Sequence, residues 1–257
     1  MASFTMICLQ RDNLVKLILL LLFFAALGSC RVDHISREFM AFYYPIYDLQ
    51  EGKVYEYRPV ENDTLPVDYW YYSSHKVDDK LHFTGNYYNE RFQVQQFFRE
   101  TQEENSMELN DFILYDTDEK GKQDQIDVEI LTRGTFPTNF ADSTKTFQMG
   151  VKWGIPGEDG TTISLSRERK YIGMSKYTYQ GKKVKSAIFK TVENIEHFVA
   201  DDGYLEPSFP GIEIYAEGIG LVYYKKQLSE AVVIEYALHA IYSMKEFDKK
   251  FKRSLEQ

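Results

Sequence analysis

The chain has 257 residues, with 30 Lys and Arg against 39 Asp and Glu and a formal net charge of −9. Such an acidic chain has no general attraction for phosphate backbones, which excludes nucleic acid as a partner on charge. Its two cysteines, Cys8 and Cys30, exclude a disulfide framework, and 20 Tyr with 18 Phe favour strands, where aromatic rings fit a half-buried pleated face.

The first readable segment is the apolar run Leu17 to Leu27, 11 residues long. As a helix it reaches about 16 Å, against roughly 30 Å of bilayer hydrocarbon. It is too short to span well. Arg11 and Lys16 precede it and Gly28 and Ser29 follow, the layout of a secretory signal. Leu27-Gly28-Ser29-Cys30 also resembles the lipobox of bacterial lipoproteins. That resemblance implies cleavage before Cys30, a diacylglycerol on its sulfur and an acylated new amino group. Two or more acyl chains anchor stably where one does not. An ordinary signal peptide with a chance cysteine, or a weak membrane helix, is the alternative. Residues 1–29 thus read as a signal peptide, 30–42 as a lipidated cysteine and tether, and 43–257 as one β-rich domain. With Cys8 in the signal and Cys30 used for lipid, no cysteine is left for a metal or a nucleophile. Losing Arg11, Asp12 and Lys16 makes the chain one unit more acidic. Net charge then does not help it onto anionic lipid, and the acyl chains are the anchor.

Tyr43-Tyr44-Pro45 opens the domain, and alternation dominates from there. Val54 to Tyr57 and Asp68 to Tyr72 read as strands. Phe92, Val94 and Gln96 share one face. So do Ile126, Val128 and Ile130, opposite Asp127 and Glu129. In Phe147 to Trp153 every second residue is large and apolar. Ile163 and Leu165 oppose Ser164 and Ser166, and Val232 to Ala240 continues the habit over one long strand. Turns fall at Glu119 to Lys122, Pro156 to Gly160, Gln180 to Lys182 and Asp201 to Gly203. About ten strands joined by hairpins imply an antiparallel sheet wide enough that it must curl, close or split. The expected fold is mainly β, a strongly curved antiparallel sheet or open barrel, with a β-sandwich as the alternative. Ser243-Met244-Lys245-Glu246 matches a capping box. Met244, Phe247, Phe251 and Leu255 follow at helical spacing and predict a short C-terminal helix, packed on the domain or touching a membrane or partner with its basic face.

No motif carries a familiar chemistry. Asp116 to Asp127 resembles a calcium loop, but Lys120 occupies a ligand position and the flanks look like strands, so a charged hairpin turn is expected. The histidines, His34, His75, His82, His197 and His239, form no His-Glu-x-x-His pair; His75 and His82 could meet across a turn. No serine sits in a Gly-x-Ser-x-Gly elbow. Glu100, Glu103 and Glu104 look like a solvated loop. Gly218-Ile219-Gly220-Leu221 lacks the third glycine and the following helix of a phosphate loop, and reads as a bend or a close backbone approach. The expected site inventory is lipidation at Cys30, with no catalytic residue, cofactor or metal.

Tyr43-Tyr44-Pro45-Ile46, Gly52 to Tyr57 and the run Gly218 to Tyr224 together resemble Tyr-rich envelope lipoproteins of Bacteroidetes-type bacteria. Some of those look similar to the curved sheets of lipoprotein-localisation carriers, which hold acyl chains on an apolar concave face. The resemblance implies a non-enzymatic envelope lipoprotein that binds a lipid-like ligand or a protein partner. A surface glycan-binding protein, a glycan hydrolase using two carboxylates, or a structural subunit of an envelope complex are the alternatives. In lipoproteins of the resembling kind an acidic run after the cysteine promotes surface display. Arg31-Val32-Asp33-His34 is not such a run, which favours the periplasmic face of the outer membrane.

Overall fold

The computed structural model describes residues 39–61, 64–89, 91–117, 121–139, 143–199 and 203–255. Cys30, the tether up to residue 38 with His34, and the tip of the Asp116 loop lie outside these residues. In chain order the strands are β1 (Lys53–Pro59), β2 (Asp68–Val77), β3 (Lys80–Tyr88), β4 (Val94–Gln102), β5 (Ser106–Thr117), β6 (Gln123–Ile126), β7 (Val128–Pro137), β8 (Thr146–Gly154), β9 (Thr162–Tyr179), β10 (Lys182–Val199), β11 (Gly203–Leu205), β12 (Ser208–Ala216), β13 (Gly220–Gln227) and β14 (Val233–Tyr242). One helix follows, α1 (Met244–Leu255). All pairings are antiparallel, most of them between chain neighbours, and β14 pairs with β1 to complete the circuit. The pair β5–β6 continues into β5–β7, and β10–β11 into β10–β12, so the fourteen strands make a ring of twelve positions. The curved sheet expected from the alternation therefore forms, and it closes into a barrel, which removes every free sheet edge around the ring.

Alternation decides the two faces. The outer wall pairs charges across strands, Arg99 with Asp111 and Lys225 with Glu235. Lys152, Glu168, Lys170 and Lys190 also point outward from strand middles. A membrane-spanning barrel instead shows lipid an apolar band about 25 Å tall. This wall carries charge at mid-strand positions, with single apolar residues such as Leu131, Ile172 and Ile212 exposed among them.

A ring of about eight strands is filled by its own side chains, and a wider one needs something more. Here the filler is the chain itself. Phe39, Phe42, Tyr43, Tyr44, Ile46 and Leu49 are all buried inside the ring. They meet Tyr55, Tyr72, Phe83, Phe136, Phe189 and Tyr215 from the wall. Tyr44 stacks on Phe83 at 5.0 Å and meets Tyr72 at 4.4 Å. Phe39 meets Tyr171 edge-on at 5.1 Å. Each such pair adds about 0.5–1.5 kcal/mol beyond the burial of its area. The described chain is thus already part of the packed interior at Phe39, ahead of Tyr43.

Hydrogen bonds fix this plug at one end of the barrel. Gly218 N donates to Ala41 O at 2.8 Å, and Ser74 N donates to Leu49 O at 3.0 Å. Gly220, at φ +99°, is where the plug presses on the wall: a Cβ there would lie 2.6 Å from Tyr44 Cδ1. The Gly-x-Gly therefore serves a close approach, as expected. Tyr55 and Tyr57 hydroxyls donate to the Ile219 and Leu221 carbonyls on either side of it, at 3.1 and 3.0 Å.

Helix α1 begins at the expected capping box: Glu246 N donates to Ser243 Oγ at 3.3 Å, and Ser243 N to Glu246 Oε2 at 2.8 Å. It packs outside the ring on Tyr69 and Tyr242 through Phe247. Phe92, expected in a strand, precedes β4 at φ +59° and turns its ring under Phe247 and Phe251. Asp127 likewise interrupts the run from Ile126 to Ile130, which divides between β6 and β7.

Candidate functional site

The two halves of the lumen differ. At the plugged end the inward side chains are fully buried. Toward the other end, where the β1–β2, β3–β4 and β8–β9 connections lie, they are not. Val128, Trp153, Ile163 and His197 are register partners across β7, β8, β9 and β10, and all four are only half-buried. The next layer, Ile130, Val151, Leu165 and Ile195, is half-buried except for Val151. Trp70, Tyr87, Gln96 and Leu114 continue the half-buried lining around β2 to β5. The inward residues here pack around a second, smaller apolar cluster of Leu109, Phe112, Met149 and Val151 and stay only partly buried, so this half of the lumen, called the chamber below, is the less tightly filled one. Both tryptophans of the chain, Trp70 and Trp153, are in its wall.

A belt of charge divides chamber from plug. Arg169 forms a bidentate pair with Glu213, at 2.7 Å from Nε and 3.2 Å from Nη2, and its Nη1 donates to the Thr135 carbonyl. Tyr215 donates to the same carboxylate at 3.2 Å. One layer nearer the chamber, Arg167 holds Glu193 at 2.7 Å from Nη2, and Lys226 takes the other oxygen. Burial alone would raise both glutamates, but the neighbouring cations outweigh it. Glu213 is lowered, and Glu193 is held down to about 2 by Arg167 and Lys226. Arg167 and Lys226 remain 35% and 27% exposed, so they border the chamber. Asp68 accepts from Tyr87 at 3.0 Å and from Tyr224; burial raises it despite those bonds.

Glu100 departs from expectation. It is a buried member of β4, not a solvated loop residue, and it accepts a hydrogen bond from Tyr43 of the plug. Burial raises its pKa, against the pull of Tyr43, Thr135 and Arg169. Among the histidines, His75 and His82 do meet, stacked at 5.4 Å on the outer wall. His82 is held below the usual range by burial and by Arg99. His197 faces the chamber, and its Nε2 is buried without a hydrogen-bond partner. The flanks of the Asp116 loop are strands, paired Thr117 to Gln123, as a hairpin turn requires. Cys30 is outside the described residues.

The sequence held a signal for the belt. Extending the Ile163 and Leu165 parity through β9 puts Arg167 and Arg169 on the same inward face. Chemically, the carboxylates facing the chamber are each committed, to cations at Glu193 and to phenols at Asp68. What the chamber offers a guest is apolar wall with two half-exposed cations at its floor.

The fold is shared with solved proteins of low identity. A candidate lipoprotein from Parabacteroides distasonis superposes with a TM-score of 0.50 at 13% identity, over 77% of this chain and 95% of that one. A candidate exported protein with a YmcC-like fold from Bacteroides fragilis gives 0.45 at 12% identity, over 78% and 98%. No protein-family model and no curated protein matches the chain. At these identities the likeness is one of fold, and the fold described here is similar to that of the Parabacteroides protein.

Proposed function

We propose that the protein is a lipid-anchored envelope lipoprotein that binds, rather than transforms, an amphiphilic ligand with an apolar chain, held in the open half of its barrel. The observation that carries this reading is the contrast within one lumen: a large, mostly fully buried cluster at the plugged end, and a smaller apolar cluster ringed by partly buried residues at the other. Ligand sites are concave, mostly apolar and furnished with a few placed polar groups. The chamber matches that description, with Arg167, Lys226 and His197 as the polar groups. The lipobox resemblance at Cys30 supports the anchor, and the periplasmic face of the outer membrane is the proposed address.

Trp70 and Trp153 provide the test. The purified protein is titrated with a brominated fatty acid, which quenches tryptophan on contact. Saturable quenching, reversed by an unlabelled lipid, is expected. Unchanged fluorescence at saturating probe would sink the lumen reading. The anchor is tested separately: intact mass of the membrane form should show an acylated Cys30, and Cys30→Ala should release the protein. A wild type that is membrane-bound without acylation overturns the anchor alone.

A further inference from the structure

The hairpin of β9 and β10 is longer than the ring needs. Pairing of β8 with β9 ends at Lys170, and pairing of β12 with β10 ends at Ser186. Residues 176–185 therefore form a two-stranded ribbon that runs past the ring at the plugged end. From Lys170 to Val192 the chain has six lysines and no Asp or Glu, within a protein of net charge −9.

Register makes this unusual. Lys170 lies directly opposite Lys190, and Lys176 opposite Lys185. Like charges in that position repel. Elsewhere on the outer wall the same geometry pairs opposites, Arg99 with Asp111 and Lys225 with Glu235. Lysine on an open edge discourages strand addition, but that does not account for like pairs on both faces of the hairpin: Lys170 with Lys190 outward on the ring, and Lys176 with Lys185 on the ribbon face that continues Ala187 and Phe189. The ribbon is also two-faced. Val184, Tyr177 and Tyr179 pack on the core, whereas Lys176, Lys183 and Lys185 occupy the opposite face with Met174, which is 39% exposed.

We infer that this face of the ribbon is a docking surface for an anionic phospholipid bilayer, the membrane to which the protein is tethered. Its position fits. Lys185 Nζ lies 5.4 Å from the Phe42 ring, so the ribbon adjoins the plug. Cys30 is nine residue steps before Phe39, a covalent reach of at most about 32 Å. An anchor at Cys30 can therefore hold the plugged end, where residues 39–49 are bonded to the wall, against the bilayer. The inference uses the anchor but not the ligand reading of the chamber. It also refines the charge argument: an acidic whole still carries one strongly basic face.

The test is a lysine footprint. Full-length membrane-form protein is reconstituted into vesicles of phosphatidylcholine alone, or with phosphatidylglycerol added, and acetylated with a water-soluble reagent. Peptide masses then give the modification at each lysine. Lys176, Lys183 and Lys185 should be modified several-fold less on phosphatidylglycerol vesicles, and high salt should abolish the difference, while Lys152 on the distant wall stays unchanged. Replacing all three by Gln, at exposed positions that leave the fold intact, should weaken the phosphatidylglycerol-dependent binding by roughly fivefold per charge. Equal modification on the two vesicle types overturns the proposal. So does protection by a soluble acidic polysaccharide in place of vesicles. Partition into phosphatidylcholine vesicles reads the anchor, and the difference between vesicle types reads the ribbon, so the two cannot fail as one.

Discussion

Tyr44 and Gly220 are so closely apposed that the space of one methyl group decides whether the plug seats. A Cβ at residue 220 would sit 2.6 Å from the Tyr44 ring, on a backbone at φ +99° that side chains rarely adopt. Gly220→Ala combines overpacking with backbone strain and should destabilise by about 3 kcal/mol, read as a lower urea midpoint. Gly218→Ala has open space around its Cβ and keeps only the strain of its φ of +71°. It should cost less. Equal losses at the two glycines would show that backbone conformation, not Tyr44, is what matters there.

Glu56 has no exposed surface, yet it is charged. It lies beneath α1, where Arg58 Nε donates at 2.7 Å, Tyr242 at 2.7 Å, and Lys250 closes the set from the helix. These partners outweigh the burial cost and lower its pKa. Lys250→Ala removes one cation of two and should cost about 1–2 kcal/mol, below the range for a wholly buried pair because Lys250 is 39% exposed. Faster amide exchange across residues 244–251 should accompany it. Unchanged exchange would mean the ring contacts of Phe247 and Phe251 hold the helix.

Glu193 governs the acid limb of stability. Its folded pKa of about 2 lies below the ordinary glutamate value of 4.5. A depressed pKa contributes stability that is full above the unfolded value and is lost as pH falls through the folded one. Glu213, also lowered, acts in the same direction. Glu100 and Asp68 are raised and oppose it, favouring the fold once protonated. Glu193→Gln should therefore lower the urea midpoint at pH 7 and flatten its decline between pH 4.5 and 2. A parallel decline in wild type and variant would assign the acid limb to other groups.

Chamber and plug should respond oppositely to added volume. Leu114→Phe with Leu165→Phe adds volume at two partly buried positions on the rim of the smaller cluster, so stability should change by less than about 1 kcal/mol if the proposed chamber has room there. Probe binding should fall tenfold or more. Val222, fully buried in the plugged half, should not accept Val222→Phe without a loss of about 1–3 kcal/mol. If both changes destabilise equally, the lumen is uniformly packed and the chamber does not exist in solution.

Much of this fold was legible in the sequence because it is local. Alternation in Phe147 to Trp153 and Ile163 to Leu165 needs only the pleat of one strand. The capping box of α1 needs only four residues, and it forms as spaced. The rest depends on distant partners. Nothing near Glu100 announces Tyr43, 57 residues away in the chain. Phe92 looked like one member of an alternating strand because its left-handed backbone leaves no mark in the pattern. The number of ring positions was not readable either, since closure depends on β1 meeting β14. The chamber's inner charges were readable in principle: Arg167 and Arg169 keep the parity of Leu165, but charged residues in a strand pattern are ordinarily assigned to water.

Closure has a consequence for how the protein comes to exist. The plug precedes β1 in the chain, and the ring that encloses it is sealed by β14, whose pairing with β1 joins Val54 to Tyr242. The part that must end up innermost is therefore made first, and the last seam waits for the farthest strand. Contacts this distant slow folding and leave two raw sheet edges exposed until the seam is made. Once sealed, the same order works as a clasp: residues 39–49 cannot be drawn out by the tether without parting strands that the whole circuit holds together.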